Sequence, residues 1–279
     1  MFSFVSDDGL DIHVHEWPPA KGARGVVQLS HGMGEHAARY RRLAEALSAE
    51  GFAVYGNDHR GHGLSMNGRP GHLGEDGWNR LVADMATLTR LLKERHPDLP
   101  LVLIGHSMGS SAVQHFLLDH GDLLDGAVLA GTTALDGQLA MLERARSRHE
   151  LYNAGFQPVR TRYDWLSRDE AQVDAYISDP LCGTPLDADG MRDMHAAAAR
   201  LACPESVPAG LPLYVMVGSR DPLNAGLTLS DLLVSRYRAA GLTDLTYRAY
   251  PGARHELFNE TNADEIIADL VAWVAGVTG

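Results

Sequence analysis

Short apolar runs alternate with longer segments of helical spacing along this chain, and that alternation narrows the fold more than any single residue does. Ile12-His13-Val14-His15 alternates with period two. Val26–Leu29, Ala53–Tyr55, Leu101–Ile104, Ala127–Ala130 and Leu213–Val217 read as short buried strands, and Leu245–Tyr250 as a less pure one. Between them, Leu43, Ala46 and Leu47 share one helical face, Leu81, Met85, Leu88 and Leu92 share another, and Ala263–Val274 forms a last amphipathic stretch. Strand and helix in alternation predict a mostly parallel sheet covered by helices on both faces.

One interval breaks the rhythm. Roughly eighty residues separate Ala130 from Leu213, where a simple crossover needs about a dozen. Several helical patterns and the breakers Pro158, Pro180, Pro185 and Pro204 lie within it. The expectation is an α/β core of residues 1–131 and 211–279, with an inserted helical cap over 132–210.

Gly105-His106-Ser107-Met108-Gly109 matches G-x-S-x-G, a weak signal alone. Here it directly follows the run Leu101–Ile104 and precedes the helical stretch Ser111–Asp119, the strand–turn–helix context of a nucleophile elbow. A serine hydroxyl needs a base, and the base an orienting carboxylate. Asp221 follows the strand Leu213–Val217, and His255 follows Leu245–Tyr250. Both therefore fall at carboxyl ends of strands, where open α/β sheets place their ligands. Asp244 competes with Asp221 but precedes its strand. A developing oxyanion needs donors; the backbone N–H of Met108 offers one, and that of Met33 in His31-Gly32-Met33-Gly34 a second.

Taken together, His31-Gly32-Met33-Gly34-Glu35-His36, Asp58-His59-Arg60-Gly61-His62-Gly63-Leu64-Ser65, the Ser107 motif, Gly218-Ser219-Arg220-Asp221 and Gly252-Ala253-Arg254-His255-Glu256 resemble the monoacylglycerol lipase and lysophospholipase branch of the α/β-hydrolases. The resemblance spans nearly the whole chain. It implies the α/β-hydrolase fold and hydrolysis of small carboxylic esters through an acyl-enzyme on Ser107, with no cofactor or metal. It also implies that the Asp58–Ser65 loop is structural, and that the cap forms an apolar acyl channel. The cap carries Leu139, Met141, Leu142, Phe156, Trp165, Leu166, Met191 and Met194 but no long apolar helix, which points away from a long-chain lipid. Amidases, peptidases and acyltransferases share the triad, and a binding protein on the same scaffold is a further alternative.

Charge refines the picture. With 36 acidic against 24 basic residues the net charge is −12, which argues against nucleic acid as a partner. Yet Arg144–Arg168 holds six arginines (Arg144, Arg146, Arg148, Arg160, Arg162, Arg168) against Glu150 and Asp164. Salt bridging to the acidic body is one expectation; the sharper one is that Arg160 and Arg162 receive an anionic end of the substrate. No apolar stretch approaches the ~20 residues of a membrane span, and Met1–Leu10 lacks the pattern of a secretory leader, so a cytoplasmic location is expected. Cys182 and Cys203 are too few for a disulfide framework and are expected as buried thiols, while His13 and His15 are expected on a solvated strand face. Oligomeric state has no signature in the sequence.

Overall fold

Each apolar run becomes a strand, and a further one forms at the N-terminus: β1 (Phe2–Val5), β2 (Asp11–Trp17), β3 (Gly25–Ser30), β4 (Phe52–Asn57), β5 (Leu101–His106), β6 (Gly126–Ala130), β7 (Leu213–Gly218) and β8 (Leu245–Tyr250). The computed structural model describes every residue except 145 and 146, and the backbone alone at 148–150. Arg146, Arg148 and Glu150 of the basic segment therefore lie outside the described side chains. The strands form one sheet of order β1-β2-β4-β3-β5-β6-β7-β8. From β4 onward every neighbouring pair is parallel, while β1 and β2 join antiparallel at one edge. Strands β3, β4, β5, β6 and β7 are buried throughout, as strands covered on both faces must be. The alternating exposure of β8 marks the opposite edge.

Two apolar layers sandwich the sheet. On one face, α1 (Arg41–Ala49) and α9 (Ala263–Thr278) press Leu43, Leu47, Ile266 and Leu270 against Val27, Val54 and Val102. On the other, α2 (Gly77–Arg95), α3 (Met108–His120) and α8 (Thr228–Ala239) pack Trp78, Leu88, Phe116 and Val234 against Leu103, Leu129 and Val215. The interval between β6 and β7 carries α4 (Leu135–Glu143), α5 (Arg148–Asn153), α6 (Glu170–Ser178) and α7 (Ala188–Leu201). Its last helix, α7, packs on α2 and α3 as well as on α4, so the insertion returns to the core layer before β7 begins. Among the described residues, no helix is long and apolar enough to cross a membrane.

Register aligns the carboxyl ends of the parallel strands. Ser30 pairs with Gly105, His106 with Ala130, and Gly218 with Tyr250. The loops holding Met33, Ser107, Asp221 and His255 all leave from this one edge.

Candidate active site

Strand β5 ends at His106 and α3 starts at Met108, leaving Ser107 alone to make the turn. It does so at φ 53° and ψ −121°, a conformation that residues with a β-carbon rarely adopt. Local bonds hold it there. The Ser107 N–H donates to the Ala130 carbonyl at 3.0 Å, and Ser110 Oγ donates to the Ser107 carbonyl at 2.6 Å. The flanking glycines are required by close approach: a methyl at Gly105 would meet the Gly109 carbonyl oxygen at 2.5 Å, and one at Gly109 would collide with the Ser30 and His31 carbonyls.

His255 Nε2 lies 2.8 Å from Ser107 Oγ, and His255 Nδ1 lies 2.8 Å from Asp221 Oδ2. The other carboxylate oxygen accepts the Leu223 N–H at 2.9 Å, so capping a short turn fixes Asp221's orientation. With Nδ1–H donated to Asp221, Nε2 is left to accept the serine proton. Asp221 and His255 are each 2 % exposed. Burial alone would push the imidazole below its ordinary range. The Asp221 carboxylate and its hydrogen bond outweigh that, and the pKa of His255 is raised. His106, 4.9 Å away between ring centres, goes the other way: burial, then the charge of His255, push it down to about 4.

The loop after β3 reaches the same place. A methyl at Gly32 would lie 3.2 Å from the Ser107 β-carbon, and Met33 and Met108 both line the cavity above the serine. Met108 N–H belongs to the first turn of α3, where backbone donors have no intrahelical partner. Glu35 sets the loop's shape: it accepts the Gly32 N–H and the Tyr40 hydroxyl, each at 2.7 Å, and pairs with Arg39, also at 2.7 Å. Burial opposes the charge of Glu35, but Arg39 and the other positive and donor groups around it prevail, holding the carboxyl at about 2. Arg39 in turn grips Glu256, the neighbour of His255, through two bonds of 2.7 and 2.8 Å. Nothing in the sequence pattern marks this bridge, because Glu35 and Glu256 are 221 positions apart.

Above the serine lies a cavity of about 470 Å³. Met33, Leu139, Leu142, Trp165, Met191, Met194 and Leu223 give it an apolar wall, and no carboxylate lines it among the described residues. Short helices thus supply the apolar surface that no single long helix provides, which removes the ground for expecting a poorly apolar cap. Trp165 lines the cavity, its ring 5.0 Å from that of His255. Tyr152, its ring tilted 4.9 Å from that of Trp165, and Thr133 also line the cavity and carry no sequence signal. The two singled-out arginines part company. Arg162 lines the cavity, whereas Arg160 is exposed, pairs with Asp174 at 2.6 Å, and lines a different cleft.

Other candidates resolve structurally. Asp58 accepts the N–H groups of Ala37 and Leu64, each at 2.8 Å, and pairs with His15 at 3.2 Å, fixing its loop in place. His13 and His15 are half-buried rather than on a solvated face; the His15 ring stacks on Trp17 and bonds Asp58. Both cysteines are free; Cys182 is half-buried and Cys203 exposed, so the expectation of two buried thiols fails at the end of α7. His36, Asp179 and Cys182 place ligand-type atoms within 4.8 Å of one another. His36 is already bonded to Asp179 at 2.9 Å, and burial pushes the Cys182 thiol far up, which disfavours a metal-binding thiolate.

Comparison with known proteins follows the same outline. Residues 21–262 match the family model for serine aminopeptidase, S33. The chain is 33 % identical to the monoacylglycerol lipase of Mycolicibacterium smegmatis, covering 98 % of this chain and 95 % of that one. It is 27 % identical to the human monoglyceride lipase, covering 97 % and 89 %. A thermostable carboxyl esterase from Bacillus coagulans, solved with glycerol, superposes with a TM-score of 0.85 at 27 % identity over 100 % of this chain and 98 % of that one.

Proposed function

This chain belongs to the S33 serine aminopeptidase family of α/β-hydrolases and is a hydrolase acting on esters, and from that premise we propose that it cleaves monoacylglycerol-like esters through an acyl-enzyme on Ser107. The observation that carries this reading is the unbroken chain Asp221–His255–Ser107, with both links at 2.8 Å, opening into an apolar cavity. Ser107 Oγ attacks the carbonyl carbon while His255 Nε2 takes its proton. The carbonyl oxygen becomes an oxyanion held by the N–H groups of Met33 and Met108. The tetrahedral adduct collapses as the C–O bond to the alcohol breaks, and His255 returns the proton to the departing oxygen. Water, deprotonated by His255, then attacks the acyl-serine and releases the acid. Asp221 keeps the imidazole in the required tautomer and stabilises its charged form.

The cavity also speaks to the leaving group. An aminopeptidase must receive a substrate ammonium, and a buried cation needs a carboxylate partner. None lines this cavity among the described residues; its charged side chain is the cation of Arg162. An uncharged glycerol ester fits this wall better than a peptide amine. The test is turnover of p-nitrophenyl esters from short to long acyl chains, alongside monoacylglycerol and a matched anilide. We expect an optimum at medium or longer chains, hydrolysis of monoacylglycerol, and little action on the anilide. A preference for the anilide would reverse the assignment to esters.

A further inference from the structure

A second cleft, about 440 Å³, lies where the cap segment 155–173 meets the loops after β7 and β8. Ser107, Asp221 and His255 do not line it, but the residues directly before the latter two do: Arg220 and Arg254. The ring of Phe156 lies against both guanidiniums, 5.9 Å from that of Arg220 and 4.1 Å from that of Arg254. Each also donates to backbone carbonyls of the cap. Arg220 bonds Gly155 at 3.1 Å, and Arg254 bonds Ser167 at 3.0 Å and Asp164.

What these two arginines lack is a direct ion-pair partner. Among the described residues, the hydrogen bonds of their guanidiniums go to carbonyls and neither side chain forms an ion pair, while the Arg254 backbone N–H donates to Glu260 at 2.7 Å. The other charges at the cleft are largely committed. Arg168 pairs with Glu260 at 2.7 Å, and Arg160 with Asp174 at 2.6 Å and Glu170 at 3.8 Å. The Asp164 carboxylate is taken up by the Arg160 N–H and by the Thr161 N–H and hydroxyl. Four arginines thus line the cleft against the two carboxylates of Asp164 and Glu170, and Arg220 and Arg254 are the two with no ion-pair partner among the described residues. Burial, and the nearby Arg168 and Arg220, lower the pKa of Arg254 against the pull of Glu260 and Asp164, so the site disfavours its own charge. Guanidinium edges not used on carbonyls present paired N–H donors, the geometry that oxyanions accept bidentately.

We propose that this cleft binds a phosphoryl group carried by a small molecule, held between Arg220 and Arg254. Its occupant clasps the cap to the two loops that carry Asp221 and His255. The site stands apart from the acyl cavity and does not depend on the proposed ester chemistry.

Calorimetric titration of the full chain with inorganic phosphate tests this, with acetate and chloride at matched ionic strength as parallel arms. Saturable binding of phosphate, absent for both controls and at least about tenfold weaker in Arg220→Gln, is the expected result. Arg220 is exposed and outside the acyl cavity, so the variant should keep its thermal midpoint and its turnover of a neutral ester. Arg254→Lys keeps the charge but loses the fork, and should weaken phosphate in the same direction. No saturable phosphate binding, equal binding in Arg220→Gln, or an equal response to chloride or acetate would each overturn the proposal.

Discussion

At Ser107 a side chain occupies a φ that glycine favours, and the bonds to Ala130 and Ser110 hold it there. The hydroxyl is thereby lifted to His255, and replacing it tests its role without disturbing the turn. Ser107→Ala should lower kcat by about 10⁶ with a folded protein, and Asp221→Asn by roughly 10⁴, both measured against a chromogenic ester. The pH profile carries the electrostatic signature. The proposed mechanism requires neutral His255, whose pKa is raised above 6.5, so kcat/KM should rise through an inflexion above that value. Asp221→Asn removes the carboxylate that raises it and should move the inflexion down. Stability runs oppositely. A raised folded-state pKa gives a contribution fully present below the unfolded value and lost as pH rises through the folded one. The thermal midpoint of the native chain should therefore exceed that of Asp221→Asn most at mildly acidic pH, with the gap narrowing above neutrality. A gap that widens with pH would contradict this.

At the scale of elements, the elbow depends on how closely α3 approaches β3. A methyl at Gly109 would run into the Ser30 and His31 carbonyls, backbone atoms that cannot swing aside. Gly109→Ala should cost about 3 kcal/mol in chemical denaturation and displace the Met108 N–H from its proposed oxyanion position. Gly276, in α9, has nothing within 4 Å of an added methyl, so Gly276→Ala should raise stability by about 0.5–1 kcal/mol. The contrast reads packing against helix propensity in one protein. The elements framing the site were legible because each apolar run is bounded by breakers and each triad residue follows one directly. Strand β1 was not: it spans four residues of alternating exposure, and its place is set by pairing with β2. Helix α8 escaped for a related reason, since its buried Leu229, Leu233, Val234 and Tyr237 are mixed with exposed residues on a modest stripe.

Across the whole molecule, the loops that bring Ser107, Asp221 and His255 together, and Met33 and Met108 beside them, lie in motifs legible in the sequence. The Glu35–Arg39–Glu256 bridge, the Tyr152 and Thr133 wall and the arginine cleft are not legible there, because each joins residues that only the closed fold brings together. The basic segment shows why composition falls short. Arg160 and Arg162 are two positions apart, yet one is engaged by Asp174 and the other faces the cavity. Arg162→Gln should therefore raise KM for esters bearing an anionic group and leave neutral esters nearly unchanged, while Arg160→Gln should alter neither. Equal losses on both ester classes in Arg162→Gln would remove that role. The central claim, a covalent acyl intermediate on Ser107, is tested most directly by rapid quench of the enzyme with a slowly deacylating p-nitrophenyl ester, followed by intact and peptide mass spectrometry. The expected result is a burst of about one p-nitrophenol per chain and an acyl mass increment on the peptide holding Ser107, absent in Ser107→Ala. Hydrolysis with neither burst nor adduct, or an adduct on another residue, would contradict it.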